Sequence, residues 1–188
     1  MNYLDFPSMI NGQEMFAYCK VGSNFSGYAF PKCVNFYGMF ANSDITGFSS
    51  GGLFSNVENG GFLSNYTDAY GNSDYFATFR NMFYNCSAFE SFSTEYFSPP
   101  NEPWMYDGID GSGMFAHCYN LQSISDVGGL FSYITNCSEM FYGCTLLSEF
   151  DADLSSINNG YCMFSSCHNL TSFSSNLSSN MTDGNGMF

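Results

Sequence analysis

The chain carries almost no positive charge. Its 188 residues include only three Lys and Arg against seventeen Asp and Glu, which gives a formal net charge of −14. Lys20, Lys32 and Arg80 are too few to neutralise a row of phosphates, so the composition argues against binding to DNA, RNA or an anionic membrane. The carboxylates are spread singly along the chain, which favours a plain role in keeping the surface soluble.

Long apolar runs are missing too. No stretch is long and apolar enough to span a bilayer, and the first residues have neither the basic head nor the apolar core of a secretory signal. We therefore expect no membrane insertion and no visible signal peptide, and the sequence leaves the localisation open.

Motifs for catalysis and for metal binding are equally scarce. The chain has no Cys-x-x-Cys pair and no phosphate-binding glycine loop, and His117 and His168 each lie next to a Cys of a repeated pattern described below. Asp107 and Asp110 lack the acidic spacing of a calcium loop. The sequence predicts a protein that is not an enzyme and uses no cofactor or metal.

What the chain has instead is a repeat. The pattern Met-Phe-x-x-Cys occurs five times, and a sixth copy carries Ser43 in place of Cys. The copies begin at Met15, Met39, Met82, Met114, Met140 and Met163. Most steps between them are 23 to 26 residues, a period typical of solenoids. One copy has too few apolar residues to fold alone, so the copies must stack to bury a core.

Two steps are longer than the others. After Met39 we predict a worn copy of the repeat over residues 53–63. After Met82 the surplus lies in residues 98–113, which we interpret as an insertion.

Within each unit, the Leu-x-Ser-Phe stretch is the best strand candidate, because aromatic or branched residues are flanked there by turn formers. Strands of successive units would pair in parallel. The prediction is a solenoid of about seven units over 15–188, preceded by a partial repeat or cap over 1–14.

The order Met-Phe-x-x-Cys-x-x-Leu-x-x-Ile, complete from Met114 to Ile124, resembles the leucine-rich repeats of the BspA-like (Treponema-type) class and related repeats of bacterial, mycoplasma and phage surface proteins. The resemblance covers nearly the whole chain. It implies a leucine-rich-repeat-type solenoid, with a short parallel strand per unit of about 24 residues and returns made of turns or short helices. It also implies adhesion or recognition at a cell surface or on a virion.

Five of the eight cysteines occupy one repeat position, which indicates buried thiols that pack as small apolar groups. Cys33, Cys137 and Cys162 fall outside that position, and one disulfide among them stays open.

Two surfaces are candidates for binding. Strand alternation places the neighbours of the inward Phe or Ile on the outside, where they form either a partner site or a merely soluble face. These residues are Ser91, Ser93, Ser123, Ser125, Glu149, Asp151, Ser172 and Ser174.

The insertion is the second candidate. Trp104 and Tyr106 stand beside Asp107 and Asp110, a combination that suits sugar contacts or a protein interface. The alternative is that Trp104 folds back to cover the interrupted repeat.

Taken together, these features predict a recognition or attachment module that binds a protein or a cell-surface glycan. One alternative is an acidic inhibitor that occupies the basic, nucleic-acid-binding groove of a host protein. Another is a structural component of a larger assembly, which would associate end to end or laterally with copies of itself.

Overall fold

The computed structural model describes residues 5–22, 30, 33, 35–48, 78–96, 108–127 and 129–188. Regular secondary structure within these ranges consists of short strands and two 3-10 helices, Thr94–Tyr96 and Leu130–Tyr133. The strands are β1 Ser91–Ser93, β2 Ile109–Asp110, β3 Ser123–Ser125, β4 Ile134–Asn136, β5 Glu149–Phe150 and β6 Ser172–Phe173.

The strands pair in parallel across successive units. β1 pairs with β3, β2 with β4, and β5 with β6. The strands β1, β3, β5 and β6 fall on the Leu-x-Ser-Phe stretches and their equivalents, as the repeat predicts. In each pair the inward residues lie side by side, such as Phe92 beside Ile124 and Phe150 beside Phe173.

The Met-Phe-x-x-Cys segments form stacked turns. In the unit of Met114, the N–H of Ala116 donates to the carbonyl of Gly113 at 3.0 Å. The N–H of Phe115 donates to the carbonyl of Met140 in the next unit at 2.9 Å. This alternation satisfies the backbone of the segment without a helix or a strand, because each unit supplies acceptors for the one before it.

Two positions of each turn segment have left-handed backbone, the one before Met and the one before Cys. In the unit of Met114 they are Gly113 and His117, both with φ of 63°. The other pairs are Glu14 and Tyr18, Gly38 and Asn42, Asn81 and Asn85, Glu139 and Gly143, and Cys162 and Ser166. Most of these residues are not glycine, so the hydrogen bonds to neighbouring units must hold a conformation that a side chain disfavours.

The phenylalanines that follow the methionines form one continuous column, which we call the phenylalanine column. Its members are Phe16, Phe40, Phe83, Phe115, Phe141, Phe164 and Phe188. Consecutive ring centroids are 5.4 to 5.6 Å apart and the rings lie within 13° of parallel. The repeat register predicts this alignment for Phe83, Phe115, Phe141 and Phe164, and the structure has it.

The column passes directly from Phe40 to Phe83. The two rings stack at 5.6 Å, and the N–H of Phe40 donates to the carbonyl of Met82 at 2.9 Å. This spacing equals that of the other pairs in the column. The predicted worn copy of the repeat over residues 53–63 lies outside the described part of the chain.

The cysteines of the repeat form a second ladder, the thiol ladder. Cys86, Cys118, Cys144 and Cys167 each donate through Sγ to the carbonyl of a column phenylalanine one unit earlier, at 3.0 to 3.1 Å. All eight cysteines are free thiols, so the disulfide left open among Cys33, Cys137 and Cys162 does not form.

A polar ladder, absent from the sequence prediction, runs four residues before each Met. Each member accepts, through its side-chain oxygen, the N–H two residues later at 2.9 to 3.2 Å. The members are Asn11, Asn35, Thr78, Asp110, Asn136, Asn159 and Asp183. Successive members are parallel bridge partners, so one short turn is repeated in register through the stack.

Candidate functional site

The strand residues predicted as a binding face lie on the protein surface, next to strand residues that point into the core. Phe92, Ile124 and Phe150 point into the core, whereas the residues on either side of them are exposed, except for a half-buried Ser93. The exposed ones are Ser91, Ser123, Ser125, Glu149 and Asp151, and Ser172 and Ser174 on either side of the half-buried Phe173 are exposed as well.

Half of this predicted set borders one cavity of about 680 Å³, which we call the strand-face pocket. Ser123 and Ser125 come from β3, and Glu149 and Asp151 come from β5 and the residue after it. The pocket therefore spans two neighbouring units. Ser91, Ser93, Ser172 and Ser174 do not line it.

The sequence analysis did not name seven of the lining residues as site residues. They are Ile124, Asp126, Val127, Gly129, Ser132, Ala152 and Asp153. Asp126 directly follows β3, and Asp153 lies shortly after β5, so each extends the outward strip past the end of its strand. The available signal was an acidic residue just beyond a predicted strand in two neighbouring units.

The 3-10 helix Leu130–Tyr133 forms one wall. The first two residues of this helix, Leu130 and Phe131, are buried. Ser132 is half-buried and donates through Oγ to the carbonyl of Gly129 at 2.8 Å. Gly129 has a φ of 68° and a Cβ there would meet nothing within 4 Å. The glycine is thus required by the backbone turn that starts the helix and not by crowding.

The pocket is strongly acidic. Asp126, Glu149, Asp151 and Asp153 contribute carboxylates, and its described lining includes no Lys, Arg or His. Oδ1 of Asp126 is buried and has no hydrogen-bond partner among the described residues.

Burial raises the pKa of Asp126 above its ordinary value. The side chain of Thr94 and the backbone groups of Phe131, Leu130 and Asp153 oppose this by hydrogen bonding to the carboxylate, but they do not cancel it. Asp126 is thus half-buried, whereas Glu149, Asp151 and Asp153 are exposed at the rim of the pocket.

The insertion candidate is mostly beyond the described residues. Trp104, Tyr106 and Asp107 lie outside them. Asp110 is described, and it belongs to β2 and to the polar ladder, where its Oδ1 accepts the N–H of Ser112 at 3.0 Å. The predicted insertion over 98–113 therefore extends too far, because the chain has rejoined the repeat by Ile109.

Metal and membrane chemistry gain no support from the described part of the chain. Within it, no group of three or more His, Cys, Asp and Glu residues is placed to hold a metal ion. Nor does that part contain a helix with the length and apolar character needed to cross a membrane.

No protein-family model, curated protein or solved structure matches this chain.

Proposed function

We propose that this chain is a leucine-rich-repeat-type solenoid that works as a non-enzymatic recognition or attachment module. Support for the solenoid comes from the parallel pairing between units, the phenylalanine column and the thiol ladder. The resemblance to BspA-like repeats is the reason for assigning attachment at a bacterial or phage surface.

The site of recognition in this proposal is the strand-face pocket, and its occupant is a segment of a partner protein that carries Lys or Arg. The observation that carries this is the pocket lining itself, in which four carboxylates and several hydroxyls converge without a described cation. Its volume of about 680 Å³ accommodates a long basic side chain with its neighbours.

Each group of the pocket has a role in such binding. Glu149 and Asp151, both exposed, accept charge-assisted hydrogen bonds from a guanidinium or ammonium group at the rim. Asp126 is half-buried and adds a fourth negative charge deeper in the pocket. The exposed side chain of Val127, with 74 % of its surface accessible, contacts the aliphatic stem of the ligand.

The test is a peptide array that varies Lys and Arg content, probed with the native chain and with the double variant Glu149→Gln/Asp151→Asn. We expect the double variant to lose about tenfold or more in affinity for the best Lys- or Arg-containing peptide. A matched control, Glu90→Gln/Glu139→Gln, changes the net charge equally at exposed sites outside the pocket and should bind almost normally.

A second candidate, the acidic inhibitor of a basic protein groove, is favoured by the net charge of −14. Both double variants would then weaken binding equally, and affinity would fall steeply with salt because many dispersed charges contribute. If no peptide distinguishes the native chain from Glu149→Gln/Asp151→Asn, the pocket is not the recognition site.

A further inference from the structure

A second cavity lies on the stacked turns of the units of Met15, Met39 and Met82. Its volume is about 360 Å³ and each of the three units places one tyrosine in its lining. These are Tyr18, Tyr37 and Tyr84, and we call the cavity between them the tyrosine groove. Tyr18 is 80 % exposed, and the other two are half-buried.

Small residues make the groove accessible. Ala17, Gly38 and Ala41 line it between the tyrosines, so no bulky side chain of the described lining fills the space. Gly38 has a φ of 57°, and a Cβ built there would approach Cγ of Glu14 to 3.2 Å. A side chain at this position would be strained and would narrow the groove.

The remaining lining is polar and carries little charge. Glu14, Asn42 and Asn81 contribute one carboxylate and two amides. Oδ1 of Asn42 accepts a hydrogen bond from Nδ2 of Asn85 at 2.8 Å, which orients the amide and directs its Nδ2 to other acceptors. Aromatic rings bordered by two amides, one of them oriented by a hydrogen bond, and by one carboxylate match a sugar, which has flat C–H faces and a rim of hydroxyl groups.

We propose that the tyrosine groove binds a neutral glycan, with successive sugar rings stacked on tyrosines of successive units. Tyr18, Tyr37 and Tyr84 come from three successive units, so the groove offers several aromatic rings to one extended ligand. This site is separate from the strand-face pocket and does not depend on it.

The aromatic surface continues beyond the groove. The ring of His117 packs edge to face between Tyr84 at 5.3 Å and Tyr142 at 5.2 Å, and its Nδ1 is hydrogen-bonded to the hydroxyl of Tyr119 at 3.0 Å. Aromatic side chains thus extend over the units of Met114 and Met140. A longer glycan gains contacts along this path, so affinity should rise with chain length.

The experiment is an array of neutral oligosaccharides, from disaccharides to hexasaccharides of glucose, mannose and N-acetylglucosamine, followed by calorimetry with the best hexasaccharide. We expect the native chain to bind at least one series more tightly as the chain lengthens. Tyr18→Ala should weaken binding about tenfold, whereas Tyr18→Phe should retain it, because stacking and not the hydroxyl dominates. Because Tyr18 is highly exposed, Tyr18→Ala should leave the fold intact, and a loss of affinity would then reflect the lost tyrosine ring.

A matched control uses the repeat itself. Tyr37 and Tyr161 both lie two residues before a Met, but only Tyr37 lines the groove. Tyr37→Ala should weaken glycan binding and Tyr161→Ala should not. The proposal is overturned if no neutral oligosaccharide binds, if Tyr18→Ala and Tyr37→Ala bind as well as Tyr161→Ala, or if the groove variants abolish binding of a peptide and of no glycan. The two cavities share no lining residue, so loss of glycan binding in the groove variants and loss of peptide binding in the pocket variant are separate outcomes.

Discussion

Each thiol of the ladder adds a second hydrogen bond to a carbonyl that already has one. The carbonyl of Phe83 accepts the N–H of Cys86 within its own unit at 3.1 Å and Sγ of Cys118 from the next at 3.0 Å. Ser43 stands at the same repeat position, and its Oγ lies 3.8 Å from Sγ of Cys86. A cysteine fits this position because it is a small apolar residue that still donates a hydrogen bond.

Replacement of Cys118 by Ala should therefore destabilise the protein by about 1–3 kcal/mol, through lost packing and a lost donor. The carbonyl of Phe83 keeps its bond from Cys86, which limits the cost. Urea unfolding under reducing conditions measures the change. Cys19→Ala is the control, since Cys19 is exposed and its loss should change the stability by less than about 0.5 kcal/mol. Equal effects of the two substitutions would contradict the role given to the ladder.

At the scale of the element, a repeat unit is defined by the side chains that stack on those of its neighbours more than by regular secondary structure. Its turn segment contributes one ring to the phenylalanine column, and its short strand contributes a second inward residue that packs against this column, edge to face where that residue is Phe. Phe150 packs in this way against Phe141 at 5.3 Å and against Phe164 at 5.0 Å. The strands are only two or three residues long, so side-chain stacking supplies much of the cohesion between units.

The column predicts a difference between its middle and its last described ring. Phe115 is fully buried between Phe83 and Phe141, and Phe115→Ala should cost about 3–5 kcal/mol. Phe188 stacks on Phe164 and is 66 % exposed, so Phe188→Ala should cost about 1 kcal/mol. Guanidinium unfolding of both variants measures this order, and a larger loss for Phe188→Ala would refute it.

At the scale of the whole molecule, the buried thiols make stability depend on alkaline pH. Burial raises the pKa of Cys86 and of Cys167 from 9.0 to about 11, and raises the pKa of Cys118 and Cys144 as well. Below pH 9 the thiols are protonated in both states and this contribution is fully present. Above pH 9 the unfolded chain releases protons that the folded chain keeps, so stability falls as pH rises through the folded pKa values.

Thermal unfolding between pH 8 and pH 10.5 in the presence of a reductant should show this loss. Each fully buried thiol contributes a slope of about 1.4 kcal/mol per pH unit once the unfolded thiol is ionised. The double variant Cys118→Ala/Cys144→Ala should have a shallower dependence than the native protein. The same slope in both proteins would show that other groups cause the alkaline loss.

The repeat could be predicted because its anchors are chemically distinctive. Met, Phe and Cys recur at fixed spacing, and this was enough to predict the column, the burial of most repeat cysteines and the outward strand residues. The polar ladder could not be predicted from a single residue type, because its positions hold Asn, Asp or Thr. What these residues share is a side-chain oxygen that accepts a hydrogen bond from the N–H two residues later. For the same reason Asp110 was assigned to the insertion.

The strand-face pocket was half predictable. Ser123, Ser125, Glu149 and Asp151 follow from alternation within a strand. Asp126 lies past the strand end, where alternation no longer determines the direction of a side chain. The tyrosine groove could not be found by such a rule, because its tyrosines occupy different positions of their units and meet only after stacking.

The direct contact between Phe40 and Phe83 has a consequence for how such a molecule can change. The described ladder bonds of these two units are made by residues up to Phe48 or from Thr78 onward. A change in the length of the sequence between those points therefore leaves the described bonds in place. Insertions, deletions or exchanges of sequence at this junction can therefore change what the protein binds while the stacked phenylalanines and thiols stay the same.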